Sequence, residues 1–143
     1  MTHTRGGGHD FNGKSIGGHA LSIWVHNLKG LNYHADYTSS TYRGRAVAIG
    51  GGTQAQDART IMARNNATIL TAGGANVGLA GGFFQGAGHS SYTSYYGLAA
   101  DHVLEINAVT ANGRLVTANA TQNVDLYWAF RGGGGGKAVC LLY

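Results

Sequence analysis

The 143-residue sequence predicts an α+β fold. Three observations predict this class: a strong hairpin signal near residues 102–118, helical apolar spacing in separate segments, and short strands bounded by glycine or polar turns. We find no internal repeat, and a hydrophobic content of 43% is ordinary for a chain that builds one core. We therefore expect short helices and strands around a modest core.

The N-terminal part combines a glycine-rich loop with two strands. The loop RGGGHDFNGKS begins at Arg5, so close to Met1 that we expect no element before it. The segments LSIWVH (21–26) and RAVAIG (45–50) are apolar and are bounded by glycine or polar residues, which is typical of strands.

The middle of the chain predicts a helix and then a strand. Apolar residues recur at helical spacing after the glycines at 50–52. Thr53 and Gln56 are spaced as an N-terminal capping box, and Asn65 with Asn66 marks the end of the helix. The segment ATILTAG (67–73) predicts a strand, and residues 73–91 form the longest irregular stretch.

The C-terminal part predicts a β-hairpin followed by a short helix. The segments HVLEINAV (102–109) and RLVTA (114–118) flank Asn112-Gly113, the pair that most strongly favours a tight hairpin turn. The segment 123–130 predicts a helix that Asn123 caps and that ends at Arg131, before five consecutive glycines.

Composition and charge narrow the kinds of ligand and partner. The chain has 25 glycines and no proline, whereas an average protein has about 7% glycine and about 5% proline. The net charge is +4, but its basic residues are scattered, so no nucleic-acid-binding face is expected. No apolar run reaches the length of a membrane span and no signal peptide is visible, so we expect no membrane partner.

Two glycine-rich loops form the candidate ligand site. In RGGGHD, consecutive backbone N–H groups can converge on an anion such as a diphosphate, and Arg5 can neutralise part of its charge. The second stretch offers close backbone approach together with apolar Phe83 and Phe84. Two such loops suit a long cofactor, while the alternatives are a plain glycine turn beside an exposed histidine and a flexible linker.

The residues give less support to a metal site, a Ser-His-Asp hydrolase or an RNA-binding segment. Seven histidines lack the short spacing of common zinc sites, the only cysteine is Cys140, and we expect no metal. His89, Ser90 and Asp101 lack the GxSxG turn of a Ser-His-Asp hydrolase. The segments RGGG and RGGGGG resemble glycine-rich RNA-binding sequences, which remain an open but poorer alternative because those sequences lack strands and hairpins.

Four segments in order resemble the vanillyl-alcohol-oxidase-type FAD-linked oxidoreductases, in the fungal and berberine-bridge-enzyme-like branch with a PCMH-type FAD-binding domain. They are RGGGHDFNGKS with ALSIWVHNLKG, VAIGGGTQ, the long stretch from VGLAGGFFQGAGHSS to RLVTANA, and NVDLYWAFRGGGGG. The resemblance implies FAD as the cofactor and a partial PCMH-type domain of two small α/β subdomains with mixed and antiparallel strands. Residues 1 to about 40 would end the first subdomain, and about 41 to 143 would form the second.

The resemblance also implies which residues hold FAD. His9 occupies the position of the histidine that, in this family, is bonded to the 8α-methyl carbon of the isoalloxazine ring. Many relatives form a second flavin bond from a cysteine shortly before the position of Gly78, where this chain has Gly74, Ala75 and Asn76. We therefore expect one covalent bond, through His9. The other implied cofactor-binding residues are Arg5, Gly6, Gly7, Gly8, Asp10, Gly81, Gly82, Gly88, His89, Ser90 and Val103.

The implied function is FAD binding within an oxygen-dependent oxidoreductase. In an intact relative, a substrate C–H would pass a hydride to flavin N5, and dioxygen would reoxidise the flavin; the partners would be a small-molecule substrate and dioxygen. The resemblance implies truncation at both ends, without the substrate domain, so the catalytic residues are unknown. The alternative is a non-catalytic or vestigial flavin-binding fragment.

Overall fold

The computed structural model describes residues 2–135 and 138–142, and its mixture of small sheets and helices confirms the predicted α+β class. The strands are β1 (Thr2–Arg5), β2 (Leu21–Trp24), β3 (Leu31–Thr38), β4 (Arg43–Ile49), β5 (Glu105–Thr110), β6 (Leu115–Asn119) and β7 (Ala138–Leu142). The α-helices are α1 (Ala55–Arg64), α2 (Thr93–Tyr96) and α3 (Val124–Phe130). Two 3₁₀ turns span Val25–Asn27 and Ala99–His102, and a π-helical turn spans Leu79–Phe83.

The strands form three small sheets. Strand β1 pairs parallel with β2, β3 pairs antiparallel with β4, and β5 lies between β6 and β7 with antiparallel neighbours on both sides. The pair β5–β6 is the predicted hairpin, and Gly113 takes the positive φ of +78° that its turn requires. The hairpin prediction is therefore confirmed.

The core lies where β5, β6, α1 and α3 meet the π-helical turn. Inward-facing residues alternate along β5, so that Ile106 and Ala108 are fully buried while their neighbours are only partly covered. Phe130 at the end of α3 and Leu79 of the π-helical turn are also fully buried. Many of the remaining core positions are alanines, which allow the helices and strands to approach closely. The buried cluster comprises Ile49, Ala55, Ala58, Leu70, Leu79, Ala80, Phe84, Ala99, Val103, Ile106, Ala108, Ala118 and Phe130.

The N-terminal glycine loop has an element before it, contrary to expectation. Strand β1 (THTR) leads directly into the loop and runs beside β2 from Thr2 opposite Leu21 to Arg5 opposite Trp24. Four mostly polar residues carry no alternating apolar pattern, so no local pattern predicts this strand. Strand β2 also ends at Trp24 rather than His26, because a 3₁₀ turn over Val25–Asn27 follows it, in which Val25 is buried.

The predicted helix over 55–64 is confirmed, but its predicted cap is wrong by one residue. Gln54 and Asp57 form the capping box, and the Asp57 carboxylate accepts a hydrogen bond of 3.3 Å from the Gln54 N–H. Thr53 is buried instead, where its hydroxyl donates to the carbonyl oxygen of Gly30 at 3.0 Å. The reach of Thr53 to a distant loop is a tertiary contact that local spacing does not encode.

Two other local predictions are corrected by the structure. Residues 67–73 form no strand, and two of their backbone groups bond to α1 instead: Arg59 donates to the Ala72 carbonyl at 3.2 Å, and the Ala67 N–H donates to the Met62 carbonyl at 3.0 Å. Asn123 does begin α3, but its side chain donates to the Thr117 carbonyl at 2.6 Å and makes no cap hydrogen bond to the helix. The Asn123 amide is therefore bonded to strand β6 rather than to the first turn of the helix.

Candidate functional site

The two glycine-rich loops touch where Gly7 passes Asn76 and Gly78. A Cβ on Gly7 would lie 2.5 Å from the Asn76 carbonyl oxygen and 2.6 Å from the Gly78 nitrogen, so only a glycine fits. Gly78 faces the same restriction, with the Gly7 nitrogen 2.8 Å from where its Cβ would be. Main chain therefore packs on main chain, and this contact fixes the first loop against the beginning of the second.

His9 follows Gly7 by two residues, and its imidazole forms a hydrogen bond with the Asn76 side chain. Its Nε2 lies 2.8 Å from the Asn76 side-chain oxygen Oδ1, and both side chains are exposed. The His9 Cε1 carbon also lies 3.9 Å from the Cβ position of Gly74. Gly74 and Asn76, which lie where a cysteine is expected in many relatives, are thus beside the exposed His9 imidazole.

Arg5 and Trp24 support the other side of the first loop. The Arg5 guanidinium lies 5.1 Å from the centre of the Trp24 ring, and the indole N–H donates to the Gly6 carbonyl oxygen at 3.2 Å. Arg5 Nε is buried and has no hydrogen-bond partner among the described residues. A buried cationic donor without an acceptor beside a glycine loop suits an anionic group.

Asp10 shapes the loop that follows His9. Its carboxylate accepts a hydrogen bond of 2.6 Å from the Lys14 N–H, and its carbonyl oxygen accepts one of 3.1 Å from the Gly13 N–H. These bonds close a turn directly after the histidine. Asp10 is therefore in the predicted loop, and its contact with a diphosphate stays a prediction.

The predicted residues of the second loop divide into two groups. Gly81 and Gly82 lie in the π-helical turn, and within 4 Å of their Cβ positions the structure places no heavy atom from the rest of its described residues. Gly88 is instead packed into the fold, with a φ of +78° and the Ala99 Cβ only 2.7 Å from its own Cβ position. Two of these glycines therefore border open space, whereas the third is needed by the packing.

The remaining predicted cofactor-binding residues are His89, Ser90 and Val103. Ser90 is buried, and its N–H donates to the Thr93 hydroxyl at 2.8 Å, while His89 beside it is exposed. Val103 is buried in the core, where its carbonyl oxygen accepts a hydrogen bond from the Tyr127 hydroxyl. Burial raises the pKa of Tyr127, and the nearby Arg131 charge partly opposes that rise. The Ser90–Thr93 and Val103–Tyr127 hydrogen bonds do not involve His9.

A cavity of about 330 Å³ lies between the end of α1, residues 67–73 and residues 90–92. Ser90 lines it, but neither His9 nor residues 6–8 do. An extended ligand can lie along a surface that is not closed into a cavity. We therefore base the site on the crossing of the two loops rather than on this cavity.

Sequence reasoning missed three residues of this site: Asn76, Gly78 and Trp24. Asn76 was noted only because it is not a cysteine, and its contact with His9 joins residues 67 positions apart, which no local pattern indicates. Trp24 was predicted inside a strand, and no local pattern indicates that its ring covers Arg5.

In the described residues, no three His, Cys, Asp or Glu side chains lie close enough together to hold a metal ion. The described helices include none that is long and apolar enough to cross a membrane.

Comparison with known proteins identifies the class. A family model described as an FAD binding domain matches residues 2–119, so the chain belongs to the FAD-binding-domain family. Its fold is the PCMH-type FAD-binding fold, and FAD is the cofactor.

The individual relatives are flavin-dependent oxidoreductases. The FAD-linked oxidoreductase sor8 of Hypocrea jecorina is 49% identical over 132 residues, which cover 92% of this chain and 23% of that protein. The VAO-type flavoprotein MtVAO615 of Myceliophthora thermophila superimposes with a TM-score of 0.96 at 43% identity, over 99% of this chain and 26% of its own. A glucooligosaccharide oxidase of Acremonium strictum, described with a 6-S-cysteinyl, 8α-N1-histidyl FAD, gives a TM-score of 0.82 at 26% identity, over 99% and 29%.

These matches confirm the resemblance to VAO-type FAD-linked oxidoreductases. The chain is an FAD-binding domain of that kind and spans about a quarter of the length of the curated relatives it matches. The division near residue 40 stays a prediction; β3 and β4 lie on either side of it and pair with each other.

The residues present fit FAD. Gly6, Gly81 and Gly82 have open space at their Cβ positions, which gives a planar or phosphate-bearing group close access to the backbone. The unpartnered Arg5 Nε supplies a cationic donor beside the first loop, and His9 is exposed.

Proposed function

We propose that this chain holds FAD through a single covalent bond from His9, as the cofactor-binding part of an oxygen-dependent oxidoreductase. The observation that carries this proposal is the exposed His9 imidazole, held by Asn76 at the point where the two glycine loops cross. The 8α-N1-histidyl FAD described for the Acremonium strictum oxidase supports a histidine tether in this fold. A second bond is not proposed, because Asn76 and its neighbours replace the cysteine position.

Different residues would hold different parts of the cofactor. His9 would hold the ring system through the 8α carbon, Arg5 and the backbone of residues 6–8 would bind the diphosphate, and Gly81 with Gly82 would leave room for the cofactor to lie against the second loop. When bound, FAD accepts a hydride at N5 and passes two electrons to dioxygen, which becomes hydrogen peroxide. Asn76 would keep the His9 ring in one orientation throughout.

The substrate is a small molecule that donates a hydride from a C–H bond. Its recognition and the proton-abstracting group are proposed to belong to parts of the whole protein outside this domain, because the relatives that carry the activity are about four times as long. We therefore expect FAD binding from this chain and turnover from the whole protein.

Acid precipitation tests the tether directly. The purified chain is incubated with FAD in air and precipitated with acid, and the absorbance of the redissolved pellet is recorded. We expect flavin absorbance in the wild-type pellet, none in His9→Ala, and wild-type absorbance in the control His34→Ala, whose exposed histidine lies on β3. Mass spectrometry should place the flavin on the peptide that contains His9. A colourless wild-type pellet, or flavin retained in His9→Ala, contradicts the proposal.

A further inference from the structure

The hydrogen bond between His9 and Asn76 favours one position for the imidazole proton. The atom of Asn76 that lies 2.8 Å from His9 Nε2 is the side-chain oxygen Oδ1. An amide oxygen can only accept a hydrogen bond, so Nε2 must be the donor. In the neutral ring, Nδ1 then carries the free lone pair.

We propose that Asn76 is a positioning residue for covalent attachment of FAD: it holds His9 as the Nε2–H tautomer and so presents Nδ1 as the nucleophile. This inference rests on the proposed function, since it concerns how the His9 tether forms. Asn76 does not touch the reacting carbon in this account. It acts through the imidazole. In many proteins the hydrogen-bond partner of one histidine ring nitrogen sets the protonation of the other nitrogen in the same way.

Two features of the backbone keep Asn76 in place. The Asn76 carbonyl oxygen lies 2.5 Å from where a Cβ of Gly7 would be, so the first loop packs directly on this residue. The Ala75 carbonyl oxygen accepts a hydrogen bond of 2.9 Å from the Gln56 N–H, and Val77 accepts one of 3.0 Å from the Ala55 N–H. The residues on both sides of Asn76 are thus anchored to the start of α1, which makes the amide a fixed reference for the imidazole.

The attachment step balances with dioxygen as the oxidant. His9 Nδ1 forms a bond to the 8α carbon, and one C–H bond of that methyl group breaks and leaves its electron pair on the ring system. Nε2 releases its proton to reach the neutral product. Dioxygen takes up the two electrons and the two released protons as hydrogen peroxide. A ring held as the Nδ1–H tautomer has no free lone pair at Nδ1, so it cannot form a bond to the 8α carbon from that nitrogen.

The first test is the tautomer itself. Two-bond ¹H–¹⁵N spectra of the chain labelled in histidine, recorded at alkaline pH, report which nitrogen of each neutral ring is protonated, and His9→Ala identifies the His9 signals. We expect Nε2–H for His9 in the wild type and in Asn76→Asp, which keeps an oxygen acceptor. In Asn76→Leu, which removes the acceptor at similar volume, we expect a mixture. A wild-type Nδ1–H tautomer overturns the inference.

The second test is the rate of attachment, measured as acid-stable flavin against time. We expect Asn76→Leu to react about fivefold more slowly than the wild type, the factor that corresponds to about 1 kcal/mol for one hydrogen bond. Asn32→Leu, a change of an exposed asparagine on β3, should react at the wild-type rate. Equal thermal melting of Asn76→Leu and the wild type shows that folding is not the cause of a slower rate.

The outcomes separate the two proposals. If wild type and Asn76→Leu react at the same rate, the role of Asn76 is overturned while the His9 tether stands. If the wild type never acquires acid-stable flavin, the tether is contradicted and the role of Asn76 falls with it. A slow Asn76→Leu with a mixed tautomer supports both.

Discussion

Gly7 and Gly78 pack main chain against main chain, with the Gly78 nitrogen 2.6 Å from the position that a Cβ of Gly7 would take. Neither residue has room for a side chain there. The contact brings His9 within hydrogen-bond distance of Asn76, so the position of the proposed tether depends on a contact between two glycines.

Gly7→Ala tests this dependence. The new Cβ would meet the Asn76 carbonyl oxygen and the Gly78 nitrogen, both backbone atoms that cannot rotate away, so the loops must separate. We expect a loss of about 1–3 kcal/mol in the free energy of unfolding, the usual cost of overpacking, measured by urea denaturation. Gly6→Ala is the matched control because open space surrounds its Cβ position, and it should change stability little. An unchanged Gly7→Ala would show that the loops do not pack in this way.

The glycines of the second loop should separate binding from folding. Gly88→Ala requires an alanine at a φ of +78° with Ala99 Cβ 2.7 Å away, so we expect a stability loss of at least about 1 kcal/mol. Gly81→Ala and Gly82→Ala meet no such neighbour, and they should leave the stability of the FAD-free chain unchanged while weakening FAD binding. Urea unfolding and fluorescence titration with FAD measure the two effects. Strong destabilisation by Gly81→Ala would contradict its assignment to the cofactor.

Local patterns in the sequence predict some elements of this chain, whereas contacts between distant residues are not predicted. The hairpin and α1 follow from local patterns, namely Asn112-Gly113 and apolar residues at helical spacing, and both were found. Glycine content located both loops, and the family resemblance assigned residues in them to FAD. The pairing of β1 with β2, the burial of Thr53 against Gly30 and the approach of Asn76 to His9 depend on residues 19 to 67 positions apart. Local propensity contains no information about such contacts, so sequence reasoning missed them.

Asp57 should make the stability of the chain depend on acid. Burial alone would raise the pKa of Asp57, but hydrogen bonds from Lys29 and the Gln54 N–H, with the Lys29 charge, outweigh burial and hold the pKa below 3.8. A pKa that is lower in the folded chain than in the unfolded chain stabilises the folded state at pH values above the unfolded pKa. This contribution is lost as the pH falls through the folded pKa. We expect Asp57→Ala to cost about 1 kcal/mol at neutral pH through the lost capping box, and the cost should shrink below pH 3.8.

Urea unfolding of wild type and Asp57→Ala between pH 7 and pH 3 measures this change. Asp36→Ala is the control, because the Asp36–Arg43 ion pair spans 3.6 Å between side chains that are 71% and 77% exposed. An ion pair so exposed contributes little to stability. A difference between wild type and Asp57→Ala that stays constant over this pH range would contradict the lowered pKa.

Tyr127 should make the stability of the chain depend on alkaline pH. Burial raises the pKa of its phenol above 10.0, against the smaller opposing influence of Arg131, because the phenolate would have to form beside the core. The hydroxyl also donates to the Val103 carbonyl, a bond that only the neutral form can make. A raised pKa gives a stabilising contribution that is complete below the unfolded pKa and is lost as the pH rises through the folded pKa. Tyr127→Phe should therefore cost about 1 kcal/mol at pH 7, and this cost should decrease above pH 10, since only the wild type must then bury or release a phenolate. Unfolding by urea from pH 7 to pH 11 measures the difference, with Tyr95→Phe, at an 85% exposed position, as the control that should show no such change.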